Sequence, residues 1–213
     1  MATSAPTAEQ VRIKAPNIRT LKFEIKGSTP LLQAAFSQKT IQAMMIKHKA
    51  GSTAKGKKVR EARDFSEDCR QAAHRSTDGW YGVPAAAFRC AMISACRLVD
   101  FKMTLAKMSI FIEQDGFDAV NGQPLVKLKV KEPEETVMAV RNATGVVDLR
   151  ARPMWREWGA QVRVRFDADQ FSVEDVTNLL ARVGQQVGIG EGRNDSRTSA
   201  GMGYGCFTIG DGK

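Results

Sequence analysis

Alternation of apolar and polar residues with a period of two recurs along this chain and constrains its fold more than any other feature. Residues 21–25, 108–112, 126–130 and 162–166 each follow this pattern, which is typical of a strand with one buried face. A last strand is predicted around residues 206–209. Such strands form a sheet with one apolar face, and that face must be covered, so helices are expected between the strands.

Two segments have the spacing of helices. The first follows Pro84, which suits a first helical turn, and its alanines favour helix propagation. The second follows Ser172, a favourable N-cap residue, and ends near Gly184. With the strand at residues 126–130 assigned to an insertion, the remaining elements alternate as β-α-β-β-α-β. This order predicts an α+β fold: a ferredoxin-like, RRM-like antiparallel sheet with two helices on one face.

Three stretches lie outside this pattern. Residues 1–19 lack periodicity and predict a flexible N-terminal arm. A single domain is expected over residues 20–210, with insertions at about 31–80 and 116–158. The first insertion, which is basic, is expected to have a mobile centre with a short helix on one or both sides. The second is expected to be hairpin-like.

The charge balance favours a polyanionic partner. Lys and Arg number 32 against 23 Asp and Glu, a formal net charge of +9 over 213 residues. No apolar run approaches the ~20 residues of a membrane-spanning helix, and the first residues lack the apolar stretch of a secretory signal. We therefore expect a cytoplasmic protein with no membrane partner. Four cysteines and two histidines without paired spacing predict neither a metal nor another cofactor.

Basic residues cluster in three places that are predicted to contact nucleic acid. They are Lys47, Lys49, Lys55, Lys57, Lys58 and Arg60 in the first insertion, Lys127 and Lys129 on the strand at 126–130, and Arg150, Arg152 and Arg156 in the second insertion. Arg163 and Arg165 form another cationic strand face. An ordinary solvated surface explains these clusters as well. Trp155 and Trp158, beside Arg156, would either stack on bases or be buried in the core.

The glycine-rich stretch at residues 184–205 suits phosphate binding, because glycine lets a ligand approach main-chain N–H groups. This stretch follows a helix and precedes a strand, so it is not a dinucleotide-binding fingerprint, and the chain contains no P-loop sequence. The residues predicted to contact nucleic acid here are Gly190, Gly192, Arg193, Arg197 and Gly203.

Three motifs carry a resemblance to a known family: IKGSTPLL at residues 25–32, YGVPAAAFR at 81–89, and GIGEGR at 188–193 continuing to GMGYG at 201–205. They resemble the RAMP superfamily of CRISPR-associated proteins, and within it the backbone subunits of effector complexes. The resemblance implies a ferredoxin-like domain whose glycine-rich loop faces RNA and whose copies polymerise along a guide. The chain is shorter than most such subunits and its loop is less basic, so it is also similar to a compact phage-borne relative.

Charge and resemblance together predict a non-catalytic protein of antiviral defence, or of a phage, that binds single-stranded RNA or DNA. Its copies are expected to lie side by side as a helical filament, alone or with other subunits of a ribonucleoprotein complex. One alternative is a metal-independent endoribonuclease of the RAMP class. Another is an interaction protein that mimics or inhibits such a complex.

No catalytic residue is assigned from the sequence. Under the endoribonuclease hypothesis, His74 or one of the acids Asp64, Glu67 and Asp68 would act. Their helical spacing instead predicts one solvated helix face.

Overall fold

The computed structural model describes residues 13–50, 63–141, 145–196 and 201–210. It has an α+β architecture with antiparallel sheets, so the coarse fold class predicted from the sequence is confirmed. None of the helices in these ranges combines the length and the apolar character that a bilayer crossing requires.

In chain order the strands are β1 (Ile18–Gly27), β2 (Leu31–Leu32), β3 (Gly82–Pro84), β4 (Ile110–Glu113), β5 (Gly116–Phe117), β6 (Pro124–Lys129), β7 (Glu134–Arg141), β8 (Val147–Trp155), β9 (Gly159–Asp167) and β10 (Phe207–Ile209). The α-helices are α1 (Gln38–Ala50), α2 (Phe65–Gln71), α3 (Ala85–Ala95), α4 (Met103–Ser109) and α5 (Val173–Arg182). A 3₁₀ turn, Cys96–Val99, continues α3, and a π-helical turn, Val183–Val187, continues α5.

The larger sheet follows the order β10-β1-β9-β6-β3, with β4 also paired to β9 and β5 to β6. Strands β4 and β6 share one edge of β9, because Ile110 pairs with Phe166 whereas Leu128 pairs with Ala160. The smaller sheet follows the order β2-β8-β7. Residues 134–141 of β7 pair with residues 147–154 of β8, within the stretch predicted to be hairpin-like.

The apolar residues of the alternating strands face one side of the larger sheet. Phe23 and Ile25 of β1 pack there with Val162 and Val164 of β9 in one buried cluster. Buried residues of α3 and α5 belong to the same cluster, so both helices cover this face. Complete burial of a side chain of this size contributes about 1.5–3 kcal/mol, which explains why the period-two pattern located these strands.

Short helices and boundaries were harder to predict. The strand predicted from residue 108 begins at Ile110, because Met108 belongs to α4, where it is 70% exposed. Strand β1 begins at Ile18, inside the stretch expected to be an arm. Helices α1 and α2 lie on either side of residues 51–62, which are outside the described residues.

The start of α5 follows its sequence signal. Ser172 Oγ accepts a hydrogen bond from the Asp175 backbone N–H at 3.1 Å, and the Ser172 N–H donates to Asp175 Oδ2 at 2.9 Å. These reciprocal bonds form a capping box. Hydrogen bonding from Ser172 also lowers the pKa of the Asp175 carboxyl.

Candidate nucleic-acid interface

A groove of about 540 Å³ separates α3 from the glycine-rich loop. One wall consists of small α3 side chains, including Ala87, Cys90 and Ser94. The other wall consists of loop residues, among them Gly190 and Arg193. The alanines that favour helix formation in α3 therefore also leave room beside the loop.

The loop glycines differ in what they allow. Gly190 has φ +80°, and a Cβ there would collide with the Leu32 carbonyl oxygen. A Cβ on Gly192 would lie 2.8 Å from the Tyr204 ring. At these two positions glycine permits close packing of the chain on itself, rather than the ligand approach expected from the sequence. Gly203 faces more open space, since the nearest atom to a Cβ there is 4.0 Å away.

The loop also presents three successive main-chain donors. The N–H groups of Gly192, Arg193 and Asn194 have no hydrogen-bond partner among the described residues, whereas Glu191 N–H donates to the Leu32 carbonyl at 3.0 Å. Main-chain N–H groups are obligatory donors, and runs of them bind anions. The Arg193 side chain is exposed beside them, and its Nη1 donates to the Gly190 carbonyl at 3.1 Å.

Arginines on neighbouring elements hold the two acids of the loop. Arg152 donates to both Glu191 carboxylate oxygens, and Arg150 Nη1 lies 3.5 Å from Oε1. Asp195 accepts from Ser94 Oγ and pairs with Arg97 Nη2 at 2.6 Å. Hydrogen bonding from Ser94, helped by Arg97, lowers the pKa of the Asp195 carboxyl. Together with Arg193, the arginines leave the loop region with an excess of positive charge.

His74 lies in the same groove rather than on a solvated helix face, so that expectation is wrong for this residue. Helix α2 ends at Gln71, and the backbone N–H of His74 donates to Gln33 Oε1 at 2.8 Å. Its Nδ1 lies 2.8 Å from Asp118 Oδ2, and the two side chains are only 12% and 3% exposed. Asp118 also accepts from the N–H of Val120 at 2.8 Å, so its carboxylate is fixed.

The acids near His74 have structural partners. Asp64 is the N-cap of α2 and accepts from the Glu67 N–H at 3.1 Å. Glu67 pairs with Arg70 at 2.7 Å, and Asp68 pairs with Arg63 at 3.1 Å. The first contact caps α2, and the two ion pairs join charged side chains within α2 and between α2 and the residue that precedes its N-cap.

The two tryptophans of the second insertion are buried, which decides between the two interpretations of the sequence. Trp155 and Trp158 are 3% and 4% exposed. Their indole N–H groups donate to the carbonyls of Lys131, at 3.0 Å, and Thr29, at 2.8 Å. Neither ring is available for base stacking. Arg156, between them, is exposed and pairs with Glu134 at 2.9 Å.

The remaining predicted cations are spread over several surfaces. Lys49 is exposed on α1, and Lys127 and Lys129 lie on the uncovered face of the larger sheet. The side chain of Lys47 is outside the described part of the structure, as are Lys55, Lys57, Lys58, Arg60 and Arg197. Of the predicted residues, the groove therefore brings together Gly190, Arg193 and, through Glu191, Arg150 and Arg152.

Sequence reasoning missed Arg97 and Asp118. Arg97 lies 98 positions from Asp195, and Asp118 lies 44 from His74. No local pattern connects such residues; the only sequence signal was that Asp118 begins a turn-like Asp-Ala-Val-Asn-Gly segment.

Within the described ranges, no group of three or more His, Cys, Asp or Glu residues could hold a metal ion. No family model matches this chain, and no curated protein matches its sequence significantly.

Proposed function

We propose that the protein binds single-stranded RNA or DNA without cleaving it, and that its copies lie side by side along the strand. The observation that carries this proposal is the run of N–H donors at Gly192, Arg193 and Asn194, which have no hydrogen-bond partner among the described residues. They belong to a loop that lines the groove through Arg193, whose side chain is exposed. Phosphate oxygens accept from such donors irrespective of base sequence.

The electrostatics of the loop support an anionic ligand. Glu191 and Asp195 would repel phosphate if they were free, but arginines already neutralise both of them. The remaining positive charge would be screened by counterions in the free protein. Release of those ions on binding would favour the complex and make its affinity depend on salt.

A finer assignment of the fold belongs to the same proposal. Strands β1, β4, β9 and β10 alternate with α3 and α5 as β-α-β-β-α-β, and the strands lie side by side as β10-β1-β9-β4. Both helices cover one face. This arrangement supports a ferredoxin-like core and a relation to RAMP backbone subunits. In that relation the glycine-rich loop would face the bound nucleic-acid strand.

Salt-dependent binding tests the assignment of the loop. Fluorescence anisotropy with labelled oligo-U and oligo-dT would give affinities over a series of salt concentrations. We expect Arg193→Ala to reduce the slope of log K against log[salt] by about 0.7, the value for one phosphate contact on a single strand. Arg182→Ala removes the same charge from the exposed surface of α5 and serves as the control. Equal slopes for both variants would exclude Arg193 from the interface.

Assembly along the strand is tested separately. Light scattering should show particles whose mass grows with the length of an added single strand. A protein that stays monomeric with and without a long strand would contradict the side-by-side arrangement, while leaving the binding surface unaffected.

A second candidate function, metal-independent RNA cleavage, is favoured by the His74–Asp118 pair in the groove. Asp118 would fix Nδ1 and leave Nε2 to take the proton of a 2′-hydroxyl. The 2′-oxygen would attack phosphorus, the P–O5′ bond would break, and the departing oxygen would take a proton from solvent. The products would be a 2′,3′-cyclic phosphate and a 5′-hydroxyl end.

Incubation of labelled hairpin RNA with a chelator distinguishes the two functions. Cleavage that His74→Ala abolishes and His48→Ala preserves would establish the enzyme, since these are the only two histidines in the chain. Binding without cleavage would support the non-catalytic function.

A further inference from the structure

The face of the larger sheet that α3 and α5 leave uncovered is strongly charged. In the register of β1, β9, β4 and β6, every second residue of each strand points to this open face. The cations of this open face are Lys22, Lys26, Lys127, Lys129, Arg163 and Arg165. Its acids are Glu24, Glu113, Asp115 and, at the end of β9, Asp167.

Only some of these cations are neutralised. Lys129 pairs with Glu24 at 2.6 Å, and Arg163 contacts Glu113 at 3.2 Å and Asp115 at 2.6 Å. No such ion pair to a described residue forms at Lys22, Lys26, Lys127 or Arg165. The open face therefore keeps positive charge after its internal pairs are counted.

Two aromatic rings lie on the open face among the cations. The Arg165 guanidinium lies 5.1 Å from the centre of the Phe111 ring, and Arg89 lies 5.3 Å from the same ring. Trp80 lies across β3 and β5, where a Cβ on Gly82 or Gly116 would come within 2.8 Å of its ring. Lys127 Nζ is 5.8 Å from the Trp80 ring. Cations beside partly exposed rings are the chemistry that binds the phosphates and bases of a single strand.

The dimensions of the open face fit a short segment of such a strand. Lys22 and Lys26 are four residues apart on β1, which corresponds to about 14 Å along an antiparallel strand. Two strand spacings separate β1 from β4, or about 10 Å across the sheet. Phosphate-binding cations and a stacking ring are thus within the reach of a few nucleotides.

We propose that the open face is a second surface for single-stranded nucleic acid, on the opposite side of the sheet from α3 and the glycine-rich loop. Lys22, Lys26 and Arg165 bind phosphates, and Phe111 and Trp80 stack on bases. This inference rests on the proposed function, because it extends the path of the strand from the groove. A strand that occupies both surfaces passes around the β4 edge, where Arg89 of α3 contacts Phe111.

Binding measurements on matched variants test this surface. Lys22→Gln combined with Arg165→Gln removes two exposed charges from the open face. We expect the salt slope for a long oligo-dT to fall by about 1.4, or 0.7 for each lost phosphate contact. Lys102→Gln combined with Arg182→Gln removes the same charge from the start of α4 and from α5, and should leave affinity unchanged.

Phe111→Leu separates stacking from charge. Loss of one stacked base should weaken binding at least about fivefold and leave the salt slope unchanged. Ultraviolet crosslinking of the wild-type complex should also attach oligo-dT to peptides that contain Phe111 or Trp80. Thermal denaturation of each variant identifies any loss that comes from unfolding.

Failure of the second surface and failure of the proposed function would give different results. If Arg193→Ala weakens binding while the open-face variants match the control pair, the groove binds nucleic acid and the second surface is refuted. If polyphosphate competes equally well and Phe111→Leu has no effect, the assignment to nucleic acid is refuted. Absence of any binding by the wild type would overturn the proposed function itself.

Discussion

The contact between Glu191 and Arg152 should contribute measurably to stability, because it fastens the glycine-rich loop to β8. Their side chains are 22% and 19% exposed. An exposed ion pair contributes about 0.2–1 kcal/mol, whereas removal of one partner from a fully buried pair costs about 3–5 kcal/mol. For this intermediate exposure we expect Glu191→Gln to lower the free energy of unfolding by about 1–3 kcal/mol.

A double-mutant cycle isolates the pair. Urea denaturation of Glu191→Gln, Arg152→Gln and the double variant should give a coupling energy of about 1–2 kcal/mol. The Glu134–Arg156 pair is the matched control, since it contains the same residue types on an exposed surface, with exposures of 55% and 66%. Its coupling energy should stay below about 1 kcal/mol. If the Glu191–Arg152 coupling is no larger than this, the electrostatic attachment of the loop is refuted.

Three further predictions concern titration and packing. Hydrogen bonding lowers the pKa of Asp195, so the stability that this shift provides is present above the ordinary aspartate pKa and is lost as pH falls through the lower pKa of the folded state. The free energies of unfolding of wild type and Asp195→Asn should therefore differ at neutral pH and converge in acid. A difference that stays constant with pH would contradict this. Burial and the hydrogen bond to Glu132 raise the pKa of Tyr81 to about 12, so the stability that this shift provides is present below the ordinary tyrosine pKa and is lost as pH rises through about 12. Tyrosinate absorbance in a Tyr204→Phe background should show this late titration, and ionisation in the ordinary range would contradict it. Gly205 has φ +70°, and a Cβ there would overlap the Ile189 carbonyl, so Gly205→Ala should destabilise the protein by more than the ~1–2 kcal/mol of a left-handed residue alone; unchanged urea denaturation would show that the loop adjusts freely.

Local patterns in the sequence located the elements that bury one face. Val162 and Val164 alternate with arginines on β9, and the predicted N-cap residue Ser172 caps α5 through Asp175. Helix α4 escaped prediction because Met108 continues the apolar alternation into the strand after it, although it is exposed on the helix. Periodicity does not show which of two overlapping patterns the tertiary structure selects.

The chemistry of the groove depends on contacts that no local pattern contains. The glycine-rich loop was recognisable, but Glu191 meets Arg152 and Asp195 meets Arg97 only because the chain folds β8 and the 3₁₀ turn after α3 against the loop. Residues 150–158, which combine arginines with Trp155 and Trp158, show that a local pattern can also predict a contact that the fold does not form. Its composition suits base stacking, yet both indoles satisfy their N–H groups on main-chain carbonyls in the core.

The central claim is that main-chain donors of the glycine-rich loop bind phosphate. Titration of isotope-labelled protein with oligo-dT, followed by amide NMR, measures this most directly. The amide signals of Gly192, Arg193 and Asn194 should shift in parallel and saturate with the affinity found by anisotropy. Saturable binding that leaves these three amides unmoved would contradict the claim.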